Sequence, residues 1–398
     1  MRALALLGLA LMLLAAPAPG QEELPPAVDL SQKRVTDQGV MAPLYRGGRA
    51  RLTLDPHLDR AAERLLRAAD PVVGALVVVD AKSGKLLSLA ETSRDGRRGA
   101  LTSAKAPAAS VFKIVTAAAL LETTRLGPRD PVCTVPGLRS IQREHLDAPR
   151  GAAVECTAFG QALGHSKNAV FAQLAVRHLL RADLIGVAER LGFNGPAPFD
   201  FKVPLGKLEV PYNDLEFART AAGFKGSTLS PLGAAHLASV IAHRGQVLRL
   251  RVIEEAGNYR ALPEAQSLGS VLSRRAAERL VKMMEVTVTS GTSREAFTDP
   301  EGRSYLPGIR VAGKTGTLKP PKETVTTSWF VGFAPTENPE IVISVLLQNG
   351  PTFRRKANEV ARDMLRVVFR ARGRSRIGDP FEKPGAPAGA ISMIRSAP

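Results

Sequence analysis

Several features that would point to cofactor chemistry are missing from this sequence. Its six histidines, His57, His145, His165, His178, His236 and His243, fall in no H-E-x-x-H or Cys/His spacing, so no metal site is expected. No glycine-rich phosphate loop appears, and nothing else implies a cofactor. Internal repeats are absent as well, and 398 residues that are 44% hydrophobic can bury a full core as one large two-lobed domain or two smaller ones.

A span long enough for a membrane is lacking too. The apolar run Ala3 to Ala16 behind Met1-Arg2 is short for one, and Pro17 and Pro19 interrupt it. Ala18-Pro19-Gly20 before Gln21 supplies a small-residue cleavage site, so residues 1–20 read as a signal peptide, with an uncleaved anchor as the alternative. No cysteine follows, which leaves lipidation unsupported. The two cysteines present, Cys133 and Cys156, make an even count in an exported chain and favour a disulfide; two free thiols are the other possibility.

What is present is a set of three short motifs in fixed order. Ser110-Val111-Phe112-Lys113 follows Pro107-Ala108-Ala109 and precedes the apolar stretch Ile114 to Leu121, which predicts a loop entering a buried helix. Ser110 would sit in the first turn, beside unpaired N–H groups and the positive dipole end, with Lys113 on the same face. A lysine amine held against that hydroxyl can take its proton when burial and neighbouring cations lower its pKa. Ser166-Lys167-Asn168 opens a second apolar helix. Ser166 could relay a proton to a leaving amine, and the Asn168 amide could bond a peptide carbonyl. Lys314-Thr315-Gly316-Thr317 lies in a stretch that alternates like a strand. Lys314 offers a cation and the threonines offer hydroxyls, which suits a substrate carboxylate, while Gly316 would admit a close peptide backbone. Each piece alone has a plain reading, such as an N-cap serine, a turn or an edge-strand lysine. Their ordered combination does not.

From about Arg51 to Arg372 the chain resembles the transpeptidase domain of penicillin-binding proteins. Further stretches agree with it: Leu52 to Leu66 with the opening strand and helix, Gly74 to Leu89 with the first hairpin, Leu229 to Ala238 and Ala242-His243-Arg244-Gly245 with the helix after the active-site lobe, then Ser290-Gly291-Thr292 and the strand pair Trp329–Ala334 and Ile341–Leu347. It departs from the family in having Ala108-Ala109 for the usual Pro-Gly before the nucleophile and Lys167 in the variable middle position of the second motif. The resemblance implies a serine D,D-transpeptidase acting on peptidoglycan stem peptides, acylated at Ser110 by substrate and by β-lactams. Lys113 would be the base, Ser166 and Asn168 the second motif and Lys314 the third, with an oxyanion held by the backbone N–H groups of Ser110 and Thr317. Alternatives are a D,D-carboxypeptidase, a β-lactamase, for which none of Glu189, Glu209 or Glu216 sits in a recognisable setting, and a sensor that binds without turnover.

The expected fold is α+β: an antiparallel five-stranded sheet packed between helices, with an all-helical lobe and a cleft between them. A strand pair at about 74–90 would lead to a largely helical middle, 105–300, then three strands and a helix at 355–370. Domain boundaries follow: signal peptide 1–20, polar linker 21–50, transpeptidase-like domain 51–372, and a disordered Pro/Gly-rich tail 373–398. Basic residues exceed acidic ones, 54 to 37, and crowd the end at Arg354, Arg355, Lys356, Arg362, Arg366, Arg370, Arg372, Arg374 and Arg376. In an exported, periplasmic or envelope protein, that charge suits anionic membrane or wall polymers rather than nucleic acid, or is simply a solvated basic face.

Overall fold

The structure, a computed structural model, describes residues 27–135, 141–146, 154–195, 197–201, 203–262, 264–319, 323–352, 354–374 and 378–381. The expected leader and most of the expected tail lie outside the described residues.

Five strands carry the architecture: β1 (Val73–Asp80), β2 (Leu86–Ser93), β3 (Ala312–Leu318), β4 (Thr326–Ala334) and β5 (Ile341–Asn349). All pairs are antiparallel in the order β3-β4-β5-β1-β2, which makes β3 an edge of the sheet. Around them lie α1 (Pro56–Ala69), α2 (Lys113–Thr123), α3 (Phe159–Gly164), α4 (Asn168–His178), α5 (Pro231–Ala242), α6 (Arg274–Thr289) and α7 (Ala357–Ala371).

β1 has an almost unbroken apolar sequence because both of its faces are covered. Leu76 and Val78 join a core with Leu65 of α1 and Val360, Met364 and Leu365 of α7. Ala75, Val77 and Val79 face the opposite core, which holds Ile114 and Val115 of α2 and Leu232 and Leu237 of α5. Each large aliphatic side chain buried this way contributes about 1.5–3 kcal/mol. The helix ends are specified locally. Asp55 accepts from the His57 and Leu58 N–H groups at 2.8 and 2.9 Å, and Ser230 accepts from Gly233 N at 2.9 Å. Each cap is followed by a proline, whose missing N–H is harmless at the first helical position.

Two expectations are corrected. The polar linker over 21–50 gives way, within the described residues, to strands Arg34–Thr36, Gly39–Pro43 and Arg49–Leu52, which join Ile253–Ala256 and Tyr259–Arg260 in a second five-stranded sheet. Lys33 bonds buried Asp59, whose Oδ1 also accepts from Ser88 Oγ and Leu89 N at 3.0 Å each, and this pins the segment to α1 and β2. The middle of the chain is also less helical than expected. Ala106–Pro107, Gly206–Leu208 and Ser227–Leu229 form a small sheet directly before Ser110. Strands of two or three residues are too short to show a period-two pattern.

The basic end of the chain is tied to its own acids. Arg355, Arg362 and Arg366 converge on buried Asp363. Arg372 reaches Asp80 at 2.7 Å and Glu340 at 3.2 Å, and Arg370 pairs with Asp379 at 3.1 Å. Among the described residues no helix is long and apolar enough to cross a membrane.

Candidate active site

The turn that carries Ser110 is held from three sides. Ala108 N donates to Ser227 O at 3.0 Å, and Trp329 Nε1 of β4 donates to Pro107 O at 2.9 Å. Ala109 then takes a φ of +49°, and Ala109–Phe112 forms a single 3-10 turn before α2 begins at Lys113. The third constraint is Gly223. Its φ is +84°, and a Cβ there would stand 2.2 Å from Ala109 O. The sequence suggested an α-helical first turn. The 3-10 geometry brings residues three apart into line, so Lys113 lies over Ser110.

Lys113 is fully buried, with Nζ 2.8 Å from Ser110 Oγ and 3.2 Å from Ser166 Oγ. Its Nζ also donates to Asn168 Oδ1. Burial, and secondly the charge of Lys314, hold its pKa well below the ordinary lysine range. Ser166 occupies the turn between α3 and α4 with a φ of +58°, its N–H bonded to Leu163 O at 3.1 Å. Lys314 is buried on β3. It donates to Ser166 Oγ at 3.0 Å and to Thr315 O at 2.8 Å, and burial pushes its pKa down to about 7.

All three motifs therefore meet at one point. Ser110, Lys113, Ser166, Asn168 and Lys314 form one connected cluster of hydrogen bonds, with Thr315 half-buried and Thr317 exposed beside it on β3. Gly316 is buried, and an added Cβ would meet Val111 at 3.2 Å and Ala109 at 3.3 Å, so its bareness also makes room for the nucleophile turn. His165 is an exposed turn residue at the end of α3.

Cys133 and Cys156 are joined, directly opposite each other in the Pro131–Thr134 and Glu155–Ala158 ladder that enters α3. The neighbouring Glu155 pairs with Lys167 of the second motif at 2.5 Å. Gly223 and Trp329 escaped the sequence reading as site residues. Their contributions are a close approach and one indole bond, neither of which has a motif.

A serine against a buried amine, a second serine shared by two lysines, and a cationic edge strand can together run acyl transfer through a covalent ester. This is the class that fold and site define: serine acyl-transfer enzymes. The penicillin binding protein transpeptidase domain matches residues 74–366, and the chain belongs to that family. It is similar to the peptidoglycan D,D-transpeptidase PbpA of Mycobacterium tuberculosis, 25% identical over 77% of this chain and 68% of that protein. A probable peptidoglycan D,D-transpeptidase PenA of Neisseria flavescens is 25% identical over 69% of this chain and 68% of its own length. Among solved structures, the D,D-transpeptidase domain of a peptidoglycan glycosyltransferase from Eggerthella lenta superposes with a TM-score of 0.68, at 26% identity, covering 87% of this chain and 92% of that one.

Proposed function

We propose that this chain is a serine D,D-transpeptidase that cross-links peptidoglycan stem peptides through an acyl-enzyme on Ser110. The observation that carries the reading is the 2.8 Å contact between Ser110 Oγ and the buried amine of Lys113. Neutral Lys113 takes the serine proton while Oγ attacks the carbonyl of the penultimate D-alanine. Backbone N–H groups of Ser110 and Thr317 stabilise the oxyanion, in a cleft where preorganised dipoles are worth most. Collapse of the intermediate breaks the amide, and the proton that Lys113 took passes through Ser166 to the departing amine. The amine of a second stem peptide then attacks the ester, its proton moves back through Ser166 and Lys113 to Ser110 Oγ, and the serine is freed. Lys314 and the threonines of β3 hold the terminal carboxylate.

Fast hydrolysis of the ester by the route of class A β-lactamases would need a glutamate to activate water. Glu216 is tied to Arg219 and Lys225, while Glu189 and Glu209 are exposed on the surface. A peptidoglycan substrate implies work in the cell envelope, to which a cleaved leader over residues 1–20 would deliver the chain.

The test is an assay on purified sacculi that separates cross-linked from trimmed muropeptides, run beside labelling with a fluorescent penicillin. New cross-links and a long-lived label, both lost in Ser110→Ala, are expected. Trimmed stems without cross-links would make the chain a carboxypeptidase, and labelling that persists in Ser110→Ala would remove the nucleophile.

A further inference from the structure

We propose that Thr292 sets the direction of the Thr315 hydroxyl and thereby the site's preference for ligands with a free carboxylate. The inference rests on reading β3 as the carboxylate-binding strand. Thr292 follows Ser290-Gly291 just after α6 and touches both the Gly164 end of α3 and β3. Its N–H donates to Gly164 O at 3.2 Å, and its Oγ1 lies 3.4 Å from that oxygen and 2.6 Å from Thr315 Oγ1. Gly164 stands two residues before Ser166, and Thr315 follows Lys314. The contact is tightly built. A Cβ on Gly291 would sit 2.3 Å from Gly164 O, and one on Gly164 would sit 2.3 Å from Val286 Cγ1.

Each threonine hydroxyl has a single proton. If Thr292 gives its proton to Gly164 O, Thr315 must give its own to Thr292 and then presents only lone pairs to the cleft. If Thr292 gives its proton to Thr315, the Thr315 proton is free to meet an anion. The distances favour this second arrangement when a carboxylate arrives: 2.6 Å lies within the strong O–H···O range, whereas 3.4 Å lies beyond it. A hydroxyl that already accepts a bond is also polarised into a better donor. Thr292 is thus a positioning residue that acts through Thr315. A neutral ester, a poorer acceptor, gains much less from the arrangement.

The experiment compares acylation rate constants for benzylpenicillin and its methyl ester on the full chain. Thr292→Val should lower the acid-to-ester ratio about tenfold, the loss of one charge-assisted hydrogen bond, and leave the ester rate within about twofold of wild type. Thr292→Ser should restore the ratio. On a Thr315→Val background, Thr292→Val should change the ratio no further, because residues acting as one unit are non-additive. Equal losses for acid and ester, failure of Thr292→Ser to restore the ratio, or an independent loss on the Thr315→Val background would overturn the inference. A wild-type ratio near one would remove the carboxylate reading itself, and this inference with it. A high wild-type ratio untouched by Thr292→Val would remove this inference alone.

Discussion

Lys113 and Lys314 share one hydroxyl: their Nζ atoms stand 3.2 and 3.0 Å from Ser166 Oγ, and both side chains are fully buried. Two ammonium groups around one oxygen repel each other, and burial has already disfavoured the charge on each. Burial and the neighbouring charge thus both favour the neutral form of the amine within reach of Ser110, while Lys314 stands on β3.

The rate of acylation is expected to rise with pH as Lys113 loses its proton. Lys314 contributes to the lowering of the Lys113 pKa, so Lys314→Met should raise that pKa and move the rising limb to higher pH. Labelling rates with a fluorescent penicillin ester from about pH 5 to 9 would measure it. A limb that does not move, or moves to lower pH, would show that the two amines are uncoupled.

Stability carries the same signature. The folded pKa of Lys314 is depressed to about 7 from 10.5, so between those values the unfolded chain binds the extra proton and stability rises with pH. Relative to Lys314→Met, the wild type should gain Tm across that window and change little below it. Paired thermal melts at several pH values give the comparison, and a flat difference would contradict it.

Gly223→Ala should displace the nucleophile turn. The new methyl would press on Ala109 O in a backbone conformation that alanine rarely adopts, and we expect a loss of about 1–3 kcal/mol with at least a tenfold fall in labelling. Gly186→Ala, in a helix with its nearest neighbour at 3.8 Å, is the control and should be neutral or mildly stabilising.

Loss of the disulfide by Cys133→Ala with Cys156→Ala should cost about 3 kcal/mol on the chain-entropy account of a loop this size. The oxidised protein should be lighter than the reduced form by two hydrogens. Full alkylation of both thiols without reductant would rule the bond out in solution.

The motifs were legible in the sequence because their chemistry needs particular side chains at particular spacings, and Ser110, Lys113, Ser166, Asn168 and Lys314 do meet in space. The five-stranded sheet was legible from its long apolar runs. What supports the site was not. Gly223 and Gly291 matter through absent atoms, and Ala106–Pro107 is a strand only because Ser227–Leu229 pairs with it. A sequence does not tell which neighbour a missing Cβ makes room for: at Gly316 one such neighbour is the nucleophile turn, at Val111 and Ala109.

β3 bonds β4 along one side and, among the described residues, has no strand on the other. A peptide laid in extended form beside it would become the sheet's sixth strand, gripped by main-chain groups every amino acid possesses. Such a grip reads straightness and chain terminus more than side-chain identity. Variation in the middle of the stem would therefore be tolerated, while a shortened or blocked end would not.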